Sequence, residues 1–166
     1  MSKDTQPSVI TPNHLPFSTQ KLSASLAMTE IRELLKAGHS VTIPVQGKSM
    51  WPFLRGNGNK AIVSATEDIR VGDAVVFELS PGAFVLHRVI ALSGNDVSLC
   101  GDGNTTVEHC MRKDVVAKVK AFIRTGEKEP VFLTSRKWRA YSWIWTRLRP
   151  VRRPLIIMYR AYCKIF

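Results

Sequence analysis

The stretch FVLHRVIALSGNDVSLCGDGN, residues 84–104, decides how the rest of the chain is read. Two runs rich in Val, Leu and Ile, Phe84–Leu92 and Asp96–Gly101, flank the break Ser93-Gly94-Asn95-Asp96, and a second break, Asp102-Gly103-Asn104, follows. Gly and Asn tolerate positive φ, so both breaks read as turns. The same texture extends outward: VTIPVQ (41–46), KAIVSAT (60–66) and AVVFELS (74–80) lie before it, and VVAKVKAFIR (115–124) after it. Their separators are Gly56-Asn57-Gly58-Asn59, Gly72-Asp73 and Pro81-Gly82. Short strands at this spacing, with no helical pattern between them, predict an antiparallel sheet system or a partly open barrel.

Helical spacing appears only at the two ends. Leu22, Leu26, Ile31, Leu34 and Leu35 recur with a helical period and Gly38 offers a stop, predicting a helix over 22–37. Trp138, Tyr141, Trp145 and Leu148 fall at i, i+3, i+7 and i+10, with Ile144 beside them. Pro7, Pro12 and Pro16 among polar residues predict a flexible arm over 1–20. The expectation is therefore an α+β protein. A domain over 21–133, mainly antiparallel β with a leading helix, is followed by a basic, aromatic, amphipathic tail over 134–166.

Length and charge narrow the classes. A chain of 166 residues, 45% of them hydrophobic, is one globular domain's worth. The net charge of +11 is unevenly placed. Residues 1–119 hold 12 basic and 11 acidic side chains, whereas 120–166 hold 12 basic and 2 acidic. The tail thus reads as a cationic segment seeking an anionic surface. No run approaches the roughly 18–20 apolar residues of a spanning helix. The first residues, MSKDTQPSVITPNHLPF, contain no apolar h-region, which predicts no secretory signal and favours the cytoplasmic side. Cys100, Cys110 and Cys163 lack C-x-x-C spacing, so neither a disulfide framework nor a zinc site is expected, and no cofactor is.

Four short segments carry chemistry-bearing residues in order: Gly47-Lys48-Ser49-Met50-Trp51-Pro52, Gly72-Asp73-Ala74-Val75-Val76-Phe77, Leu86-His87-Arg88-Val89-Ile90 and Gly101-Asp102-Gly103-Asn104. A serine between Gly and Pro is by itself a turn. A serine nucleophile also needs a base within hydrogen-bond reach and donors for an oxyanion. Taken together, at these separations, the four segments resemble the type I signal peptidase family, within the wider group of serine peptidases that includes the SOS-response repressors. The likeness covers about residues 40–120.

In the usual bacterial branch of that family a lysine stands where His87 stands here. Histidine before Arg-Val-Ile resembles the endoplasmic-reticulum, archaeal and spore-former branch, which works with Ser, His and an aspartate. The resemblance implies Ser49 as nucleophile, His87 as general base and Asp102 as the carboxylate that orients the imidazole. Glu108 is the alternative acid, since related proteins of this branch carry another acidic residue a few positions after the Gly-Asp turn.

The residue types suit these roles. Imidazole titrates near neutral pH, takes a hydroxyl proton and returns it to a leaving amine. A carboxylate on its second nitrogen fixes the tautomer. Backbone N–H groups around Ser49 and Met50 would form the oxyanion hole, with Gly47 permitting close approach of the substrate. Met50 is expected to pack beneath the site, and Trp51 to line a groove or enter the core. Lys48, as Ser49's neighbour in an extended chain, points to the other face and makes a poor base. Asp73 reads as structural and His109 as a surface residue.

The expected function is a serine endopeptidase that cleaves leader or signal-like peptides through an acyl-enzyme. Family members usually carry a transmembrane helix, which this sequence does not show. The tail offers a substitute: its Trp138, Tyr141, Trp143 and Trp145, with many arginines, fit an in-plane helix on anionic lipid. A membrane surface is thus the expected partner beside the peptide or preprotein substrate. Packing of the stripe on the domain ranks next, and nucleic acid last. Two other readings are a catalytically idle β domain that tethers a basic tail, and a self-cleaving regulator. The second has only about 40 residues before Ser49 for a DNA-binding module, and His87 in place of lysine. The basic tail contributes none of the residues given a chemical role.

Overall fold

The computed structural model describes residues 17–148 apart from 56 and 67, and beyond them residues 151, 154, 157 and 158. Helix α1 spans Phe17–Lys36. Strands β1 (Val41–Val45), β2 (Asn59–Ser64), β3 (Ala74–Ser80), β4 (Ala83–Ser93), β5 (Asp96–Cys100), β6 (Glu108–Met111), β7 (Val115–Ile123) and β8 (Val131–Phe132) follow, and α2 covers Arg136–Arg147. The protein is α+β with one eight-stranded sheet in the order β1-β2-β7-β3-β4-β5-β6, β8 pairing with β7. Each pairing is antiparallel. Among the described residues β1 and β6 are the ends of an open sheet.

The alternating residues of the central strands bury both faces. On one side Ile69, Val75, Phe77, Val89, Val97, Leu99 and Val115 form a compact cluster. On the other, Ala74, Val76, Leu86, Ala117, Val119 and Phe122 join Ile31 and Leu35 of α1, Met50, Phe53 and Leu54 of the β1–β2 loop, and Trp138 of α2. Each fully buried Val or Leu side chain contributes about 1.5–3 kcal/mol. Continuous burial over Ala74–Phe77 follows from a strand covered on both faces.

Most sequence boundaries hold within a residue or two, with instructive exceptions. Helix α1 begins earlier than the expected 22. Residues 1–16 of the expected arm lie outside the described residues, and 17–20 are helical. Gly38, at φ 84°, ends this helix: its N–H bonds Leu35 O, and that of His39 bonds Leu34 O. Leu26, assigned to the apolar stripe, is 66% exposed. Strands β6 and β8 were not expected. Glu108-His109-Cys110-Met111 is a half-exposed edge strand without an apolar alternation, and β8 is only two residues long. Ser135 caps α2 by accepting the Trp138 N–H at 3.2 Å. The apolar segment from Leu155 to Phe166 lies outside the described residues except for 157 and 158.

Candidate active site

Two backbone segments meet beside His87. One is the loop after β1. Gly47 takes φ 84° and turns the chain, and the next residues wind into helical turns, with Trp51 N–H on Lys48 O at 3.1 Å and Leu54 N–H on Met50 O at 3.0 Å. This winding sends Met50, Phe53 and Leu54 into the core and leaves Ser49 half-buried. The other segment is the turn after β5. Its Gly103 N–H donates to Ser49 O at 2.7 Å. A Cβ on Gly103 would lie 2.5 Å from Lys48 O, and one on Gly101 would lie 2.6 Å from Ser49 O. Both glycines are therefore required for space: the serine loop rests directly on the backbone of this turn.

His87 comes to the same place from β4. Its side chain is 1% exposed. Nδ1 lies 2.5 Å from Glu108 Oε2 in an ion-pair contact, whereas Nε2 has neither an ion-pair nor a hydrogen-bond partner among the described residues. The Gly101 Cβ position is 3.0 Å from His87 Nε2 as well as 2.6 Å from Ser49 O, so this one glycine separates the imidazole from the serine's residue. The ring stands against Phe77, 5.8 Å between centroids. Burial lowers the His87 pKa below its usual 6.5, while the Glu108 carboxylate and the nearby charge of Asp102 oppose that shift. The net effect favours the neutral imidazole over its protonated form relative to a free histidine. No hydrogen bond joins Ser49 to His87 among the described residues.

Asp102 makes no hydrogen bond or ion pair with His87 among the described residues, although its charge is felt there. It lies fully buried, and Arg88 grips it with both arms: Nε to Oδ1 at 2.8 Å and a terminal nitrogen to Oδ2 at 2.6 Å. Tyr141 OH donates to Oδ2 at 2.8 Å, and Trp145 Nε1–H donates to the Asp102 carbonyl at 3.0 Å. Arg88 spends its other terminal nitrogen on Gly72 O at 2.9 Å and Ser142 Oγ at 2.6 Å, and its guanidinium lies 4.5 Å over the Trp138 ring. Burial works against that charge, but Asp102 more than offsets it and leaves the Arg88 pKa raised. The expected contact from Asp102 to the imidazole is thus replaced by one from Glu108. The oxygens of Asp102 are committed to Arg88 of β4 and to Tyr141 and Trp145 of α2.

The tail also differs from its sequence reading. The stripe of Trp138, Tyr141 and Trp145 faces inward, with Trp138 only 3% exposed and the Tyr141 and Trp145 rings stacked 5.8 Å apart. These three rings are not free to meet lipid, and two of them touch Asp102, so the tail does reach the site. Sequence reading found the helical period of α2 but had no signal for what its stripe packs on. His109 is exposed as expected, its Nδ1 3.1 Å from Ser98 Oγ, and Lys48 is exposed too. Met50 is buried as expected, and Trp51 is half-buried against the Gly103 turn.

Among the described residues no group of three or more His, Cys, Asp or Glu side chains is placed to hold a metal ion, and no helix is long and apolar enough to cross a membrane. No protein-family model matches the chain, and no curated protein matches it.

Proposed function

We propose that the protein is a signal peptidase-like serine endopeptidase acting on leader or signal-like peptides, with Ser49 as nucleophile, His87 as general base and Glu108 as the carboxylate that orients it. One observation carries this reading: a buried imidazole meets a carboxylate at one nitrogen and, among the described residues, has the other unpartnered beside the Ser49 loop. A buried polar atom without a partner is costly, and a proton-accepting role explains why it is tolerated.

The chemistry runs in two halves. Ser49 Oγ attacks the scissile carbonyl carbon as His87 Nε2 takes its proton, and N–H groups around Ser49 and Met50 receive the oxyanion. His87 then gives that proton to the leaving amine, and the C–N bond breaks to leave an acyl ester on Ser49. Water, deprotonated by His87, hydrolyses the ester and restores the serine. Glu108 stabilises the imidazolium formed in each half. The edge strand β1 runs directly into the Ser49 loop, so an extended peptide added to it would carry its backbone toward the serine. The family resemblance implies small residues before the cut.

The outer face of α2 supports placement at an anionic membrane surface. Trp143 is 59% exposed beside Ile144 and Arg147, with the Arg147 guanidinium 4.3 Å over the Trp143 ring. Flotation with phosphatidylglycerol vesicles tests this: Trp143→Ala should lower binding, and equal flotation after deletion of 134–166 would remove the idea. The peptidase reading is tested by identifying peptides that accumulate uncleaved in cells carrying Ser49→Ala. Unchanged cleavage in cells carrying Ser49→Ala or His87→Ala would overturn it in favour of an idle β domain.

A further inference from the structure

We infer that α2 is a clamp on the candidate active site, and that Tyr141 and Trp145 are positioning residues that hold the Gly101–Asn104 turn, and through it the Ser49 loop, in place beside His87. A continuous chain of short contacts leads from the helix to the serine. Tyr141 and Trp145, one helical turn apart, take Asp102 at both ends: the hydroxyl binds its carboxylate at 2.8 Å, and the indole N–H binds its carbonyl at 3.0 Å. The next residue, Gly103, gives its N–H to Ser49 O at 2.7 Å. Gly101, the residue before, lies against both Ser49 O and His87 Nε2. Asp102 is therefore fixed between the two glycines that support the serine loop, and displacement of the helix is transmitted over one residue.

The helix is itself well anchored for this task. Ser142 Oγ meets Arg88 at 2.6 Å and Gly72 O at 3.2 Å, and Trp138 stacks edge-on against Phe53 of the serine loop, 4.8 Å between centroids. Its inner face thus touches the serine loop from below and the turn from the side. A helix that merely covered apolar surface would not require a hydroxyl and an indole N–H aimed at one buried aspartate. Arg88 neutralises the Asp102 charge, so the hydroxyl and the indole N–H act chiefly by direction, since hydrogen bonds reward alignment.

The experiment compares the full chain with its Tyr141→Phe and Trp145→Phe variants, both of which keep an aromatic ring in place. Amide exchange at Gly103 reports the lock on Ser49 without reference to catalysis. It should quicken about tenfold or more in each variant, the scale of one hydrogen bond to a charged or buried group. Amides of β2 and β7 should keep their protection. In an Asp102→Asn background, Tyr141→Phe should add little, because the two side chains act through one contact. The catalytic arm rests on the peptidase reading: kcat should fall about tenfold with KM unchanged. Unaltered Gly103 exchange, or exchange that quickens equally across the sheet, would overturn the clamp. Faster Gly103 exchange in a protein that cleaves no peptide in any form would leave the clamp standing and remove the peptidase.

Discussion

His87 and Arg88 are neighbours on β4, and each meets one carboxylate. His87 faces Glu108 across the sheet side that carries Phe77, and one of its nitrogens is left over. Arg88 faces Asp102 on the other side, where two carboxylate contacts, a hydroxyl, a carbonyl and an aromatic ring surround it. Burial is the same for both, at about one per cent of the side chain exposed. What differs is saturation. A buried ion pair with every arm satisfied holds structure, whereas a buried base with an open nitrogen is arranged to exchange a proton. The contrast teaches that burial and charge pairing alone do not tell the two apart; what does is the ring nitrogen of His87 left without a partner among the described residues, the feature on which its proposed role as a base rests.

The contrast can be broken at four points. The largest effect is expected at His87. Replacing it by Ala should lower kcat about 10⁶-fold, as loss of a serine's base does elsewhere. The Arg88–Asp102 pair should be untouched, so a urea melt should show the fold retained. Glu108→Gln should come next, at about 10⁴-fold in kcat, because a neutral amide can hold the wrong tautomer. It also removes a charge that raises the His87 pKa, so the acid limb of the pH–rate profile should slide to lower pH. In the native protein that limb should already lie below pH 6.5, since burial lowers the imidazole's pKa. Stability follows the same sign. Below pH 6.5 the unfolded chain binds the proton more readily than the folded one, so stability should fall as pH drops from there through the folded value. An acid limb at or above pH 6.5 would contradict the assigned environment.

Asp102→Asn should behave in the opposite manner to Glu108→Gln. It strands a buried guanidinium and should cost about 3–5 kcal/mol in denaturant unfolding. Its effect on the pH profile should be small beside its effect on stability. The smallest expected loss is at Gly103. A Cβ there meets Lys48 O at 2.5 Å, and the overpacking should cost about 1–3 kcal/mol, read as a lower midpoint in urea. It should also move the Ser49 loop, so cleavage should fall more than stability does.

The sheet was largely legible because its strands alternate and its turns carry Gly, Asn and Pro where φ demands them. The Ser49 loop and His87 are singled out by local residue types and order, and the structure brings both against the Gly101–Asn104 turn. Which carboxylate meets the imidazole was not legible. Whether Asp102 or Glu108 reaches the imidazole depends on the pairing of Leu99 with Glu108 across β5 and β6, and the latter strand has no period to betray it. The role of α2 was hidden for a related reason. The period of Trp138, Tyr141 and Trp145 shows that one face is apolar, but not whether lipid or protein lies against it. Nor does an alternating run tell that Arg88 would find a cage of aromatic rings.

The β3–β4 hairpin turns at Pro81 and Gly82 with Ser80 opposite Ala83; the register then shifts by one residue between Glu78 and Ser80, and beyond that bulge Val75 lies opposite His87 and Ala74 opposite Arg88. The division of labour between the two residues is therefore a matter of parity. A one-residue slip of β4 that no bulge takes up would reverse which side chain looks toward Glu108 and which toward the aromatic cage, turning every alternate residue of β4 over at once. The bulge between Glu78 and Ser80 is what reconciles the length of this tight turn with that parity. Variants with one residue more in the hairpin should survive only where a second bulge takes it up, whereas those that add two should need none.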